Sequence, residues 1–278
     1  MSTAPVLSVR GLRKEYASPV RGGERIVAVD GIDFDVAPDE CLAIVGESGS
    51  GKTTVAKTIV GLEQATSGTI VVGGAPRVGG PKRHRDRVRW AGEVQYVFQD
   101  PYSSLNPRQR VGAVVETSVA VHRPELSRAD RRSAVARLLD DVGLGGGFAD
   151  RLPHELSGGQ RQRVAIARSL AADPRLVILD EAVAALDVSI QAQILNLLAD
   201  IREQRPVSYL FITHDLAVVN QIADRVIVME DGRVVEEGAT RQVLEQPAHE
   251  YTRALVAAVP RAGWTPRRRT ELAQLVPA

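Results

Sequence analysis

The sequence predicts an α/β fold: a core of parallel strands with helices between them, joined to an antiparallel β part and to a block of helices. Three observations predict it. A short continuous apolar run, "CLAIVG" at 41–46, leads straight into the glycine-rich "GESGSGKTT" at 46–54. A second such run, "RLVILDE" at 175–181, ends in an acidic pair. After residue 170, apolar strand patterns alternate with helical ones, the order that builds right-handed crossovers onto a parallel sheet.

Each element follows from its own pattern. "VLSVRGL" and "IVAVDGIDFDV" alternate apolar with polar residues, the period of half-buried strands, and Asp30-Gly31 reads as a hairpin turn in the second. "CLAIVG" lacks that alternation and suits a strand covered on both faces. A helix is expected from Thr53 to about Leu62, then a strand and turn at "SGTIVVGG". Residues 76–92 are polar, basic and glycine-containing, and read as a solvated surface excursion. "EVQYVFQD" returns to strand alternation. From 101 to 172 the pattern is helical. Ser127 and Asp130 are spaced as a capping box, and Val135, Leu138, Leu139 and Val142 form the apolar stripe behind it. In "SIQAQILNLLADIREQ", Ile190, Ile194, Leu197, Leu198 and Ile201 share one helix face. "VSYLFITHD" is a strand, "LAVVNQIAD" a helix, and "RVIVMEDGRVVEEG" a hairpin turning at Asp231-Gly232. One or two short helices and a basic end follow Gly238.

Composition narrows the function classes. The formal net charge of the 278 residues is +1, which gives no support to bulk electrostatic binding of nucleic acid. No run of about 18 apolar residues occurs, so no membrane span is expected. The segment "MSTAPVLSVRGLRKEY" lacks an apolar core of signal-peptide length. Cys41 is the single cysteine, so no internal disulfide can form, in keeping with a reducing compartment; a small buried hydrophobe is its expected role.

The chemistry lies in the loops after the two apolar runs. "GESGSGKT" matches G-x-x-x-x-G-K-[ST] through Gly46, Gly51, Lys52 and Thr53, between a strand and a helix as that motif requires. The glycines let backbone amides of Gly46, Glu47, Ser48, Gly49, Ser50, Gly51, Lys52, Thr53 and Thr54 curl into a nest for phosphate oxygens. The helix that starts there adds its positive end. Lys52 would reach the β and γ phosphates and the Thr53 hydroxyl would ligate Mg²⁺. Asp180 emerges at the carboxyl end of a buried strand, where such sheets bind ligands, and would hold Mg²⁺ through water. Glu181 would orient and polarise the attacking water, a role worth roughly 10²–10⁴ in rate. The fold is thus a P-loop NTPase, and Mg-nucleotide hydrolysis the expected activity.

A second phosphate grip then needs an explanation. In "LSGGQRQRVAIARS" (156–169), Ser157 is a good N-cap and Gln160 completes a capping box, with Val164, Ala167 and Leu170 as the stripe. A capped helix does not explain Gly158 and Gly159, each of which weakens the first turn by roughly 0.5–1 kcal/mol. Something must approach that backbone closely. One nucleotide has one γ-phosphate, already wrapped by the first loop. The second grip would therefore serve a nucleotide held by another chain, two chains facing head to tail with a nucleotide in each seam.

"GESGSGKT", "LSGGQ" and "LVILDE", in this order, resemble the ATP-binding subunit of an ABC transporter, over residues 6–240. The resemblance implies a RecA-like parallel core, an antiparallel β subdomain and an α-helical subdomain at about 100–170. It implies ATP and Mg²⁺ as cofactors. It places Tyr16 on adenine, Gln99 on Mg²⁺, the water and the membrane subunits, and His214 on the γ-phosphate. It places "AALD" (184–187), with Asp187, across the dimer seam. "FQDPYSSLNPR", "LPHELSGGQRQRVAIARSL", "LDVSIQAQILNLL" and "HEYTRALVAAVP" resemble the branch that imports dipeptides, oligopeptides, nickel chelates, opines or glutathione. That branch implies residues 1–240 as the nucleotide-binding domain and 241–278 as a C-terminal extension. It implies a second ATP-binding subunit, expected to be non-identical, two transmembrane permease subunits beside "DPYSSLNPR" and an extracytoplasmic solute-binding protein, without nucleic acid. The chain would sit at the cytoplasmic face of the membrane through the permeases.

Two departures stand out. After "LVILDE" the branch reads Pro-Thr or a close variant, whereas this chain has Ala182, Val183 and Ala184; the missing proline is expected to loosen the backbone after Glu181. Some relatives carry an iron–sulfur cluster in the extension; with Cys41 as the one cysteine none is expected here. A soluble enzyme complex of the phosphonate-breakdown kind is the rival to the importer, and "DPYSSLNPR" argues against it. A DNA-repair ATPase would need long coiled coils between the phosphate loop and "LSGGQ", where this chain has a compact insertion. The arginines at 267–269 form either a disordered tail or a contact with anionic lipid heads.

Overall fold

The computed structural model describes residues 4–18, 23–77, 80–81, 83–100 and 105–259. Two sheets carry the architecture. The first is antiparallel, with order β2-β1-β4-β5, from β1 (Leu7–Tyr16), β2 (Ile26–Val36), β4 (Ser67–Val72) and β5 (Ala75–Pro76). The second has order β10-β9-β3-β8-β7-β6. It comprises β3 (Cys41–Val45), β6 (Val94–Val97), β7 (Leu176–Asp180), β8 (Ser208–Ile212), β9 (Arg225–Glu230) and β10 (Arg233–Ala239). Strands β9, β3, β8, β7 and β6 run parallel, and β10 closes the edge antiparallel to β9.

The central strands are buried end to end, as their continuous apolar runs require. Alternate residues feed two different cores. Val177, Leu179, Tyr209 and Phe211 face the helical part, whereas Leu176, Ile178, Leu210 and Ile212 face helix α1 (Lys52–Ile59) and the antiparallel sheet. The helical part is α3 (Val111–His122), α4 (Arg128–Asp141) and α5 (Gly158–Leu170), with α6 (Val188–Gln204) beside it. The stripe Val135, Leu138, Leu139 and Val142 is buried, and the Ser127 hydroxyl accepts the Asp130 N–H as a helix cap. A third core joins β3 and β9 to α7 (Leu216–Ile222), α8 (Thr240–Glu245) and α9 (Glu250–Ala258).

Three expectations change. The Asp30-Gly31 pair is not a hairpin turn, because β2 runs through it and pairs with β1 along its length. Gly31, at φ +72°, instead absorbs a bulge where Leu12 opposes Ile32 and Arg13 opposes Asp30. The pairing with β1 spans the whole strand, more than a two-residue turn could offer. Residues 76–92 are not wholly a surface excursion either: they contain most of α2 (His84–Glu93), whose Trp90 is buried beneath the Arg77 guanidinium, 4.7 Å from its ring centroid. Helix α1 ends at Ile59 rather than near Leu62, since Gly61, at φ +80°, turns the chain. Cys41 is a fully buried hydrophobe, and burial pushes its thiol pKa far up.

Gly31→Ala tests the bulge. An added Cβ at Gly31 meets nothing within 4 Å, so the cost is backbone alone, about 1–2 kcal/mol for an L-residue held in the left-handed region. Urea unfolding should show that loss; an unchanged midpoint would contradict the bulge assignment.

Candidate functional site

Four neighbouring parallel strands deliver their following loops to one edge of the sheet. Strand β3 leads into the phosphate loop, β8 into His214, β7 into Glu181 and β6 into Gln99. This is the carboxyl edge, where sheets of this kind bind ligands.

The phosphate loop is wedged into place. A Cβ on Gly46 would lie 2.1 Å from the Met229 carbonyl oxygen, and one on Gly51 would lie 2.3 Å from that of Ala28. Gly51, at φ +100°, is the N-cap of α1. The Gly232 N–H donates to the Ser50 carbonyl (3.2 Å). Lys52 is buried, and its ammonium donates to the carbonyls of Gly46 (2.8 Å) and Glu47 (2.7 Å) and to Ser50 Oγ (3.3 Å). Burial lowers its pKa, against the pull of Glu181 and Asp180. Glu47, Ser48 and Gly49 are exposed along the loop, and Thr54 is half-buried in the first turn of α1.

Asp180 is buried at the end of β7. Its Oδ1 accepts from Thr53 Oγ1 (3.2 Å) and its Oδ2 from the Tyr96 hydroxyl. Burial pushes its carboxyl pKa up, and these two hydrogen bonds oppose the shift. Mg²⁺ takes few protein oxygens and fills its shell with water and phosphate oxygens. Thr53 Oγ1 beside a buried carboxylate is a donor set of that kind. Among the described residues no cluster of three or more His, Cys, Asp or Glu could hold a metal alone. Tyr96 carried no signal in the sequence beyond its place on a strand; in the sheet it pairs with Ile178, two residues before Asp180.

Glu181 follows with φ +47°, an uncommon backbone for a non-glycine residue. Its N–H donates to the Ile212 carbonyl (2.9 Å), which locks the turn onto β8. Gln99 Nε2 donates to one carboxylate oxygen at 2.7 Å, and His214 Nδ1 meets the other at 3.2 Å. Ala182 and Val183 are buried, and the Ala184 N–H closes a turn on the Glu181 carbonyl (3.1 Å).

The second grip is the capped start of α5. Ser157 Oγ accepts the Gln160 N–H (3.3 Å), and Gln160 Oε1 accepts the Ser157 N–H (2.9 Å), the reciprocal box expected. The close approach expected at both glycines holds differently at each. A Cβ on Gly159 would fall 2.3 Å from Ile190 Cγ2 of the same chain, so internal packing already requires that glycine. A Cβ on Gly158 would meet only Leu186 Cδ2, at an ordinary 3.4 Å. Only Gly158, not the pair, is left for an outside ligand to require. These contacts also bring "AALD" against the start of α5. Asp187 caps α6, accepting from the Ile190 N–H (3.0 Å) and Ser189 Oγ (2.7 Å), and the Ser189 hydrogen bond leads in lowering its pKa.

Tyr16 ends β1, half-buried, with the Lys14 ammonium 4.6 Å from its ring centroid; Lys14 also pairs with Glu63 (2.9 Å). In "DPYSSLNPR", residues 101–104 lie outside the described residues, as do the arginines at 267–269 and the rest of 260–278.

Comparison with known proteins decides the family. Residues 29–184 match the family model described as ABC transporter. The chain belongs to the ABC transporter family. Its C-terminal residues 235–278 match the model "Oligopeptide/dipeptide transporter, C-terminal region". It is 43% identical to the dipeptide transport ATP-binding protein DppF of Haemophilus influenzae, over 92% of this chain and 79% of that one. It is 42% identical to the oligopeptide transport ATP-binding protein OppF of Bacillus subtilis, over 93% and 83%. Among solved structures, the ATP-binding cassette MJ0796, a dimer in a post-hydrolysis state with ADP and Pi, superposes with a TM-score of 0.75 at 29% identity, covering 84% of this chain and 99% of that one. This chain is accordingly an ABC ATPase with a P-loop NTPase fold.

The two glycines of this ABC ATPase's signature should behave oppositely. Gly159→Ala should cost about 1–3 kcal/mol of stability, since β-branched Ile190 must shift. Trimming Ile190 to Ala in that background should recover most of it. Gly158→Ala should instead stabilise by roughly 0.5–1 kcal/mol, the helix propensity that the glycine gives up. Urea denaturation of the four proteins checks this; equal costs at 158 and 159 would contradict it.

Proposed function

We propose that the chain is the ATP-binding and ATP-hydrolysing subunit that powers an ABC importer for peptides or related small solutes. The observation that carries the catalytic reading is the Glu181 carboxylate, held by Gln99 and His214 beside the phosphate loop. The loop of residues 46–54, with Lys52, binds the phosphates through its amides other than that of Glu47, which donates to the Tyr251 hydroxyl, and Tyr16 stacks on the base. Thr53 and Gln99, with Asp180 through water, would hold Mg²⁺, which would supply charge neutralisation on the transferring phosphoryl group. Glu181 orients the attacking water and accepts its proton, and His214 contacts the γ-phosphate. Ser157, Gly158, Gly159 and Gln160, with Asp187, complete the site of a facing subunit, though Gly159 is also needed for the close packing of its helix on Ile190 of α6.

Residues 1–240 form the nucleotide-binding domain and 241–278 the branch-specific extension. The peptide-transport names of the relatives favour the importer over a soluble enzyme complex. Among the described residues no helix is long and apolar enough to cross a membrane. By the likeness to peptide importers, transport takes two permease subunits, a second and non-identical ATP-binding subunit and a solute-binding protein, with this chain at the cytoplasmic face.

Glu181→Gln is the test. It should keep ATP binding, reduce turnover by roughly 10²–10⁴ and hold a closed dimer that elutes early from a sizing column with Mg-ATP. Hydrolysis at the wild-type rate would remove Glu181 from its role. The same tagged variant, captured from mild-detergent extracts of its host with Mg-ATP, should bring down two polytopic membrane proteins and a second ATPase. Recovery of soluble enzymes alone would sink the importer.

A further inference from the structure

Among the described residues, the peptide-branch extension directly contacts the phosphate loop. The Glu47 N–H donates to the Tyr251 hydroxyl at 2.9 Å, across 204 residues of sequence. The contact is built from both sides. Glu236 on β10 accepts the N–H groups of Ala248 (2.8 Å) and His249 (2.9 Å), which fixes the start of α9. His249 caps that helix, its Nδ1 accepting the Tyr251 N–H at 3.2 Å. Tyr251, Leu255, Val256 and Val259 pack against the core that contains Val45, the residue just before Gly46. Glu47 is gripped at its other end by the machinery itself: its carbonyl accepts Lys52 Nζ (2.7 Å) and the Ser50 N–H (3.2 Å). Tyr251 and Lys52 thus hold the N–H and the C=O of the same residue.

We propose that Tyr251 is a positioning residue for the phosphate loop, and that helix α9 thereby sets the affinity of the site for nucleotide. With the hydroxyl gone, Glu47 is free to turn about its backbone, and the carbonyl that aims Lys52 turns with it. The coupling is reciprocal: whatever tightens the loop tightens the start of α9. The alternative is a tyrosine that only anchors its own helix.

Tyr251→Phe removes one oxygen and keeps the ring. In the complex with which the full chain purifies, KM and Kd for ATP should rise about three- to tenfold, the scale of one net hydrogen bond. The kcat should change less than twofold, and the melting temperature without nucleotide should stay within about 2 °C. Unchanged KM and Kd would overturn the proposal, with or without a fall in melting temperature. Amide exchange on the wild-type chain gives a second, independent reading. Mg-ATP should slow exchange across residues 250–258, and equal exchange with and without it would also overturn the proposal. The inference rests on residues 46–54 binding ATP. A wild-type chain that binds none would sink that reading, whereas equal affinity of wild type and variant would sink the role of Tyr251 alone.

Discussion

Two backbone carbonyls, those of Met229 and Ala28, leave no room for a side chain at Gly46 and Gly51, and the geometry of the site depends on that close fit. Met229 belongs to β9 in the parallel sheet, and Ala28 to β2 in the antiparallel one. The phosphate loop is therefore a wedge between the two sheets. Its amides can face inward because its outer side is already occupied by main chain. A loop resting on side chains would have a softer floor, since side chains change rotamer and carbonyls of a paired strand do not.

The wedge gives the acidic pair a fixed place to meet. Asp180 lies within hydrogen-bond reach of Thr53, the second residue of α1, and the pair is aligned by β8 between β3 and β7. Glu181 then turns into the left-handed region at φ +47°. Such a backbone costs about 1–3 kcal/mol and persists only where its surroundings over-determine it. Here they do: one bond from its N–H to β8, one turn bond to its carbonyl and burial of Ala182 and Val183. The strain falls on the residue whose carboxylate Gln99 and His214 both hold. Gln99 and His214 reach it from β6 and β8, so movement at either strand end is felt at the same carboxylate.

Much of this was legible in the sequence, for identifiable reasons. Continuous apolar runs marked β3 and β7, because burial on both faces removes the alternation. The glycine spacing at 46–51 marked the loop, because few other needs put glycines there. What stayed hidden depended on distant partners. Asp30-Gly31 has the composition of a tight turn, and only the pairing with β1 shows that it serves as a bulge. Gly159 looked like half of a ligand-binding pair until Ile190, 31 positions on in the sequence, was seen against it. Tyr96 on Asp180 and Tyr251 on Glu47 are hydroxyl contacts across 84 and 204 residues, and a tyrosine on a strand or helix gives no sign of where its oxygen will land.

The central claim is that this chain holds a nucleotide on its phosphate loop and lends its signature helix to a different one. The most direct measurement is a structure of the wild-type chain, with its co-purifying subunits, bound to Mg²⁺ and a slowly hydrolysed ATP analogue. The account predicts a γ-phosphate contacted by Lys52 of this chain and by the signature helix of the facing subunit, with Ser157 and Gly158 of this chain on the second nucleotide. Ser157 and Gly158 turned to solvent, or onto the nucleotide held by their own phosphate loop, would contradict it.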